Sequence, residues 1–455
     1  GISGAREGRE IVEMLAELPD LWDVNVSGWE NDSATSRFTD EGYQTDYIRF
    51  VKSVTSKPVV GVGRFTSPDT MVSLVKNGVL DLIGAARPSI ADPFLPKKVK
   101  EGRVEDIREC IGCNICVTGD MTMSISRCTQ NPTFMEEWRK GWHPEQMNAK
   151  GGSENVLVVG SGPAGLEAAR ALSERGYEVA IAEAGTEIGG RVTRERKLPG
   201  LSAWGRVVDY REYQISQKPN VETYFDSELD ADSILEFGFE NVCIATGAKW
   251  RADGVSRQHV VPMPMDSAMP IYTPDDIMAG KKPSGKVVIY DDDHYYMGGV
   301  LAELLVSEGC DVTIITPSAY LSDWTVNTLE QHAIHKKLAE MGVNIVLNRG
   351  VAQIDAGHVV SDCIYTGMTQ DIESDAVVVV ASKLENNSVY NALKTREAEW
   401  ADAGIKSVKL IGDANAPGPI AWATYAGHRY ARELDGEDIG DALPFRREIT
   451  ELALD

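Results

Sequence analysis

The pattern of apolar and polar positions divides the first hundred residues into alternating helices and strands. An amphipathic pattern over Arg6 to Leu18 predicts a helix, and apolar runs at Leu21 to Ser27, Pro58 to Gly63 and Leu80 to Gly84 predict strands. Short apolar strands separated by helical patterns are typical of a parallel α/β sheet. We therefore expect an α/β fold that begins with parallel strands.

The residues that follow these strands indicate part of a barrel. Gly63 with Arg64, and Ala86 with Arg87, stand at strand ends, where a (β/α)8 barrel carries its active-site loops and its phosphate site. A closed barrel needs eight strands and only three are visible. The pattern fits either an open sheet or a chain that begins partway through a barrel. We favour the second because Gly1 has neither a cap nor an initiator methionine.

The run Asn155 to Ala169 predicts a dinucleotide-binding turn. Gly160, Gly162 and Gly165 form a G-x-G-x-x-G motif between an apolar strand and a helix. In this context the glycines let the backbone approach a pyrophosphate, whose charge the helix N-terminus stabilises. Glu183, 18 residues past Gly165 at the end of the next strand, is placed to accept the ribose hydroxyls. We expect an adenine nucleotide here.

Two further pairs of residues are candidate contacts to this nucleotide. Gly190 and Arg191 follow the second strand, although glycines at such a place are equally typical of a plain turn. Gly412 and Asp413 end a late strand predicted at Val408 to Ile411. We expect that strand to return the chain to the same domain.

A second strand-turn-helix unit begins at Lys286 to Tyr290 but lacks the glycine turn. Asp291, Asp292 and Asp293 stand where the phosphate-binding glycines would be expected. Unpaired carboxylates repel a pyrophosphate. We infer that NAD(P)H is not bound by this unit.

Cys110, Cys113, Cys116 and Cys128 have the spacing C-x2-C-x2-C-x11-C, the most specific motif of the chain. Three closely stepped thiolates and a distant fourth favour a [4Fe-4S] cluster. Zinc is the competing interpretation, but zinc sites usually pair two separated C-x2-C knuckles. The third possibility is that the four cysteines bind no metal.

Charge and hydropathy exclude several classes of partner. The 45 Lys and Arg against 69 Asp and Glu give a formal charge of -24, which disfavours binding to nucleic acid or to anionic membranes. The longest apolar runs are strand-length and far short of a membrane span. Clustered cysteines suit a metal site in a reducing compartment, so we expect a cytoplasmic protein with no membrane span.

Several motifs together resemble one family. These are the cysteine cluster, Cys-Thr-Gln-Asn at 128–131, Gly-Trp-His-Pro-Glu at 141–145, Gly-Ala-Ala-Arg-Pro-Ser-Ile-Ala-Asp-Pro-Phe at 84–94 and Ile-Gly-Asp at 411–413. The chain resembles the trimethylamine, dimethylamine and histamine dehydrogenases, which include relatives acting on dimethylglycine and proline betaine. The likeness covers the whole chain, in the order barrel, cluster and two nucleotide-type domains.

The resemblance implies a division into four parts. They are the C-terminal part of an FMN-binding (β/α)8 barrel at 1–108, the [4Fe-4S] segment and linker at 109–150, a FAD- or ADP-binding Rossmann-like domain at 151–268 plus 390–455, and an NAD(P)-like domain with a degenerate phosphate loop at 269–389. The two nucleotide-type domains would be of the glutathione-reductase type.

The resemblance also implies an activity and its cofactors. FMN in the barrel would oxidise a small methylated amine or amino acid, and electrons would leave through the [4Fe-4S] cluster to an electron-transfer flavoprotein or another accepting protein. The second domain would hold ADP, or FAD, without chemistry. Gly63, Arg64, Ala86 and Arg87 would bind the FMN phosphate. A catalytic Tyr and His would precede residue 1, and analogy suggests a homo-oligomer or a larger complex.

Trp29, Asp32 and Asp120 are the candidate substrate-site residues that the resemblance implies. Trp29 would form an aromatic wall for the substrate cation, and Asp32 would belong to the catalytic network. Core packing and helix capping are the ordinary roles of such residues. Asp120 lies in the segment that closes the aromatic bowl around the substrate in trimethylamine dehydrogenase. An aspartate there favours a substrate with a second polar group. A solvent-facing loop aspartate is the alternative.

Two other functions remain open at this stage. An NADPH-dependent 2,4-dienoyl-CoA or enoate reductase has the same domain order, and the Asp291 to Asp293 loop argues against it. A non-enzymatic electron-transfer subunit with a vestigial barrel would explain why so few barrel strands are visible. Bleaching of the flavin by NADPH or by amines distinguishes the enzymes.

Overall fold

The computed structural model describes residues 6–137, 139 and 142–436, which form two compact units. The first unit contains residues 6–130, 191–210 and 248–384, and the second contains residues 131–190, 211–247 and 385–436. Gly141 of the family motif, and residues 1–5 and 437–455 of the expected domains, lie outside the described residues. The four-part division stays a prediction.

Helices form where amphipathic or small apolar residues recur at helical spacing. In chain order they are α1 Glu7–Leu15, α2 Trp29–Asp32, α3 Thr45–Val54, α4 Pro68–Lys76, α5 Ala86–Ala91, α6 Leu95–Glu101, α7 Thr118–Thr122, α8 Pro163–Arg175, α9 Val192–Glu195, α10 Arg206–Ser216, α11 Ala231–Phe237, α12 Pro274–Met278, α13 Tyr296–Ser307, α14 Gln331–Glu340, α15 Ser388–Thr395 and α16 Ile420–Glu433. In the described part of the chain, none is long and apolar enough to cross a membrane.

The strands are short, and those that are buried on both faces are almost entirely apolar. In chain order they are β1 Trp22–Val24, β2 Val59–Gly61, β3 Leu82–Ile83, β4 Asn155–Val159, β5 Glu178–Ala182, β6 Val221–Tyr224, β7 Asn241–Ile244, β8 Ala248–Trp250, β9 Ile271–Tyr272, β10 Lys286–Asp291, β11 Asp311–Ile315, β12 Asn344–Val346, β13 Arg349–Asp355, β14 His358–Cys363, β15 Thr369–Glu373, β16 Ala376–Val380, β17 Lys383–Glu385 and β18 Ser407–Leu410.

The N-terminal part of the first unit is a parallel sheet in the order β1, β2, β3. The helices α3 and α4 connect its strands, so each strand lies beside its successor, as consecutive repeats do in a (β/α)8 barrel. The strands are shorter than predicted. After β1, the amide of Val26 binds the side chains of Asn25 and Gln44 instead of a neighbouring strand.

The C-terminal part of the first unit has a parallel sheet in the order β12, β11, β10, β16, β9. The antiparallel strands β13, β14 and β15 form a separate three-stranded sheet. Val288 and Tyr290 of β10 share a buried core with Val377 and Val379 of β16. The strand predicted at Lys286 to Tyr290 is therefore the buried centre of this sheet.

The second unit is built on a parallel sheet in the order β18, β7, β4, β5, β6. The C-terminal strand β18 pairs with β7, so the end of the chain returns to the sheet that β4 starts. α16 packs against α8 so closely that a Cβ on Gly427 would lie 2.1 Å from the carbonyl oxygen of Ala164. Between these helices the buried carboxylate of Glu167 accepts hydrogen bonds from Arg170 and Arg211 and contacts His428.

Candidate nucleotide, flavin and cluster sites

The glycine turn between β4 and α8 combines tight packing with open space. A Cβ on Gly165 would lie 2.0 Å from the carbonyl oxygen of Gly160, and Gly160 itself has a φ of +99°. A Cβ on Gly162, the residue before α8, would meet nothing within 4 Å. Gly190 approaches this point, since its Cβ would lie 3.1 Å from the Cα of Gly162. The turn thus has a bare backbone surface suited to a pyrophosphate.

Glu183 stands at the end of β5 and is held by the same turn. Its Oε2 accepts hydrogen bonds from the amide and the hydroxyl of Ser161, at 2.9 and 2.5 Å, and its Oε1 accepts one from the amide of Gly185 at 2.8 Å. An ionised carboxylate has about four acceptor positions. The fixed carboxylate therefore keeps acceptor capacity for ribose hydroxyls.

The pair Gly190 and Arg191 is divided between the two units. In the first unit, Arg191 Nε donates to Glu195 Oε1 at 3.0 Å and Nη1 donates to the carbonyl oxygen of Ala248 at 3.4 Å. This guanidinium thus has acceptors within its own unit. Its phosphate role stays a prediction.

Gly412 and Asp413 lie beside the start of α8. Gly412 has a φ of +60°, and a Cβ on it would lie 2.6 Å from the Cβ of Ala164. Asp413 Oδ1 accepts a hydrogen bond from the amide of Gly418 at 3.2 Å. The late strand therefore brings both residues to the helix that carries the glycine turn, where a nucleotide contact is predicted.

The corresponding turn between β10 and α13 is filled by side chains. A Cβ on Gly298 would lie 2.7 Å from Cγ of Asp291, so this carboxyl packs directly on the helix. Asp291 Oδ1 accepts a hydrogen bond from the amide of His294 at 3.1 Å, while its buried Oδ2 has no hydrogen bond with the described residues. Burial raises the pKa of Asp291 to about 7. Asp292 lies 3.0 Å from His294 Nε2.

Aromatic side chains fill the start of α13. Tyr295 directly precedes this helix, as Gly162 precedes α8. Its ring makes edge contacts with Tyr296 and Trp324, at centroid distances of 4.5 and 4.7 Å. Where the first turn leaves a bare backbone, the second thus has a buried aromatic cluster, which supports the prediction that NAD(P)H is not bound.

The structure brings the four clustered cysteines together. Burial, with smaller contributions from neighbouring Cys110 and Cys128, raises the pKa of Cys113 to about 12. Burial, and then the other three thiols, raise the pKa of Cys116 well above its usual value. Among the described residues, no three His, Cys, Asp or Glu side chains are placed to hold a single metal ion.

Two of these sulfurs already have hydrogen-bond partners. The amide of Gly112 donates to Cys110 Sγ at 3.4 Å, and the buried hydroxyl of Thr129 lies 3.2 Å from Cys113 Sγ. Hydrogen bonds to the sulfurs are a usual feature of iron-sulfur sites and help to set the reduction potential. The donor set fits the predicted cluster: four thiols from one segment, with polar groups directed at the sulfurs.

Arg64 is suited to bind an anion. Its backbone has a φ of +58°, its Nη2 donates to the carbonyl oxygen of Thr39 at 3.0 Å, and its buried Nε has no hydrogen bond with the described residues. Burial lowers the pKa of Arg64, and the neighbouring Arg87 and Arg206 lower it further. A bound anion would offset the repulsion that Arg87 and Arg206 exert on Arg64.

Arg87, in the first turn of α5, has one nitrogen in use. Its Nη1 donates to the carbonyl oxygens of Ser33 and Ala34, at 3.1 and 3.0 Å, and to Asn114 Oδ1. Nε and Nη2 remain, the pair that a guanidinium uses for bidentate contact with a phosphate. Gly63 is buried two residues after β2, and Ala86 is exposed at the start of α5. These residues fit the predicted flavin phosphate site.

The candidate substrate-site residues lie on two short helices of the first unit. Trp29 begins α2 with 40% of its surface exposed. Asp32, at the end of α2, accepts hydrogen bonds from Ser33 Oγ at 2.7 Å and from Asn25 Nδ2 at 3.3 Å. Asp120 is exposed on α7. Their substrate roles stay predictions.

Three family models match separate parts of the chain. They are the NADH:flavin oxidoreductase / NADH oxidase family at residues 5–106, an NAD(P)-binding Rossmann-like domain at 158–227 and the OYE-like second alpha/beta domain at 272–377. The first covers the three barrel strands. The expected α/β fold, with a partial FMN barrel followed by two Rossmann-like domains, is confirmed.

Amine dehydrogenases are among the proteins similar to this chain. Dimethylamine dehydrogenase from Hyphomicrobium sp. (strain x) is 40% identical over 98% of this chain and 65% of its own length. The structure of histamine dehydrogenase from Rhizobium sp. 4-9 is 67% identical, with a TM-score of 0.97, over 99% of this chain and 66% of that one. Over almost its whole length the chain is therefore similar to the dimethylamine and histamine dehydrogenases. The resemblance inferred from the motifs is thus confirmed.

A further similar structure is that of 6-hydroxypseudooxynicotine amine oxidase from Pseudomonas geniculata N1. It is 50% identical, with a TM-score of 0.91, over 94% of this chain and 64% of that one. The chain therefore spans about two thirds of the length of the amine dehydrogenase relatives that it matches. The match to the NADH:flavin oxidoreductase / NADH oxidase family model identifies an oxidoreductase with an FMN-type domain.

Sequence reasoning missed residues that connect the candidate flavin site with the cysteine segment. Arg206 Nη1 donates to the carbonyl oxygen of Cys110 at 3.1 Å, and its Nε lies 2.7 Å from Glu109 Oε2. Asn114, between two cluster cysteines, contacts Arg87. An asparagine beside a cysteine ligand, at a position that suits left-handed backbone, is the pattern that could have identified it.

Proposed function

We propose that the protein is an amine dehydrogenase that uses FMN and a [4Fe-4S] cluster and binds ADP or FAD at the β4–α8 turn. One observation carries the proposal: the arginines suited to a flavin phosphate lie beside the cysteines. A Cβ on Gly112, between the first two cysteines, would lie 3.2 Å from Arg64 Nη1. Neighbouring flavin and cluster sites suit electron transfer from one to the other.

For the substrate, we propose a small amine whose C–N carbon is oxidised. The 67% identity with histamine dehydrogenase, against 40% with dimethylamine dehydrogenase, makes histamine the first candidate. N-methylated substrates such as dimethylglycine or a betaine are the second, and they would lose a methyl group. When bound, the flavin would supply the two-electron oxidation.

The chain's own residues would bind and orient this amine. Exposed Trp29 would hold the cation on its ring face, and Asp32 would orient a neighbouring base. Asp120 would bind a second polar group, such as the imidazole of histamine. Electrons would then pass to an electron-transfer flavoprotein or another accepting protein.

The proposal is tested by anaerobic absorbance of the full-length native protein. The flavin band is followed during separate additions of histamine, dimethylamine, dimethylglycine, proline betaine and NADPH. Bleaching by an amine and not by NADPH is expected, and the most effective amine identifies the substrate. If only NADPH bleaches the flavin, the enoate reductase replaces the amine dehydrogenase. If none does, the electron-transfer subunit is the better interpretation.

The cluster is tested by iron content and electron paramagnetic resonance of the dithionite-reduced protein. We expect Cys116→Ser to lose most of the iron, because it removes one of four ligands. Cys243→Ser is the matched control, since Cys243 is a buried thiol of β7 that does not belong to the motif. Equal iron content in both variants would reject the ligand set, and zinc in the native protein would reject the cluster.

A further inference from the structure

Asn114 lies between two cysteines of the cluster segment and is fully engaged. It is buried, with 2% of its surface exposed, and its backbone has a left-handed φ of +56°. Its Oδ1 accepts the hydrogen bond from Arg87 Nη1. Its Nδ2 donates to the carbonyl oxygens of Ser33 and Thr328, at 2.6 and 3.0 Å. One side-chain amide thus joins the cysteine segment, the loop after α2 and the C-terminal part of the first unit.

Those contacts determine the orientation of the Arg87 guanidinium. Asn114 shares Nη1 with the carbonyl oxygens of Ser33 and Ala34, and Asn114 itself holds the carbonyl of Ser33. The other two guanidinium nitrogens have no hydrogen bond with the described residues. A planar fork that is held at one nitrogen presents the remaining N–H groups in one fixed direction.

The cysteine segment also holds the loop that supplies these carbonyls. Ser36 donates its amide to the carbonyl oxygen of Gly112 at 3.1 Å and its hydroxyl to that of Ile111 at 2.6 Å. Gly112 has a φ of +64°, and a Cβ on it would lie 2.9 Å from Ser36, so the two backbones are in close contact. The loop at 33–36 is therefore shaped on the cysteine segment.

We infer that Asn114 is a positioning residue for the flavin phosphate, acting through Arg87, so that the cysteine segment prepares the flavin site. The inference rests on the proposed function, in which Arg87 binds that phosphate. Asparagine meets each requirement here: it tolerates left-handed backbone, offers one acceptor to Arg87 and offers two donors to the carbonyls. Aspartate lacks the donors, and alanine lacks both groups and would strain the backbone.

The test uses the full-length protein from which flavin has been removed. Quenching of flavin fluorescence gives the half-saturating concentration of FMN and, separately, of riboflavin, which has no phosphate. Asn114→Gly removes the side chain without straining a positive φ. We expect it to weaken FMN binding about tenfold, as loss of an outer partner often does, and to leave riboflavin binding unchanged. Asn391→Ala, at an exposed asparagine of the second unit, is the control and should change neither.

A double-mutant cycle with Arg87→Ala separates positioning from general stability. If Asn114 acts through Arg87, Asn114→Gly has no further effect on FMN in the Arg87→Ala protein. Additive losses, or equal losses for FMN and riboflavin, would overturn the inference. Failure of Arg87→Ala to weaken FMN binding would instead reject the proposed phosphate site itself.

A second variant covers the case in which Asn114→Gly fails to assemble. Ser36→Ala removes the hydroxyl that binds the carbonyl of Ile111 and leaves every contact of Asn114 in place. We expect a smaller weakening of FMN binding, about two- to threefold for one lost hydrogen bond, again with riboflavin unchanged. Unchanged FMN binding in Ser36→Ala would show that the cysteine segment does not prepare the site.

Discussion

The turns β4–α8 and β10–α13 share the same strand-turn-helix arrangement and differ in the groups that pack against the turn. Both follow a buried strand at the centre of a parallel sheet, and both have a glycine at the third position of the helix. At Gly165 the nearest group is the turn's own backbone, whereas at Gly298 it is the carboxyl of Asp291. Beside the first helix there is open space at Gly162, and beside the second there is Tyr295.

This difference shows that a Rossmann-like topology does not by itself make a nucleotide site. A pyrophosphate needs exposed amides and no competing charge. The first turn provides this with bare glycines, while the second is filled by a buried carboxyl and by aromatic rings in edge contact. In the second unit of the chain the turn is open and suited to the predicted nucleotide, and in the C-terminal part of the first unit the corresponding turn is packed with side chains.

The largest effect is expected from Gly165→Ala. A methyl group 2.0 Å from the Gly160 carbonyl oxygen forces the helix away from the strand, and we expect a loss of about 3 kcal/mol or more in unfolding free energy. Urea unfolding measures it. Gly152→Ala is the control, because nothing lies within 4 Å of its Cβ. A loss no larger than in the control would mean that the turn is not packed as described.

The buried carboxyl of the second turn predicts a dependence on pH. The pKa of Asp291 is about 7 when folded and about 3.9 when unfolded, so between these values the folded state binds more protons. The unfolding free energy therefore falls as the pH rises between these two pKa values. The contribution of Asp291 is fully lost at pH values above 7. When the pH is raised from 5 to 8, we expect the unfolding free energy of the native protein to fall by about 2–3 kcal/mol more than that of Asp291→Asn. Unfolding at both pH values measures the difference.

A matched substitution controls for the change of net charge. Asp311→Asn removes an exposed carboxylate at the start of β11 and should keep the pH dependence of the native protein. If Asp291→Asn behaves like this control, the carboxyl is ionised without cost and the second turn is more polar than its burial indicates.

The smallest effect concerns the open space of the first turn. Gly162→Ala leaves the packing intact but places a methyl group where the pyrophosphate would approach. We expect ADP affinity to fall about tenfold, or about 1.4 kcal/mol, with stability changed by less than about 0.5 kcal/mol. Calorimetric titration of nucleotide-free protein measures the affinity. Unchanged affinity would move the nucleotide away from this turn.

Local patterns predicted the elements that bury a continuous apolar run. The strand predicted at Lys286 to Tyr290 matches β10 to within one residue, because nearly every position in it is buried. The barrel strands were predicted too long. There, side chains from distant positions such as Gln44 bind the backbone amides that a neighbouring strand would otherwise use.

The candidate sites follow the same division. Cysteine spacing and the glycine motif are local, so the sequence alone identified them. Asn114 and Arg206 act through contacts made only by folding: Asn114 binds the carbonyl of Thr328, 214 residues away. The residues that flank Asn114 and Arg206 in the sequence give no indication of these contacts. The pairing of Arg64 with the cysteine segment is hidden for the same reason.

The sheet order of the second unit also has a consequence for biosynthesis. Its first strand, β4, starts at Asn155, but β18 and the helix α16 that covers α8 come only at residues 407–433. Chains fold from the N-terminus as they leave the ribosome. The sheet β9 to β16 is fully synthesised while this unit still lacks an edge strand and a covering helix. Until translation passes α16, α8 lacks the helix that packs against it in the folded unit.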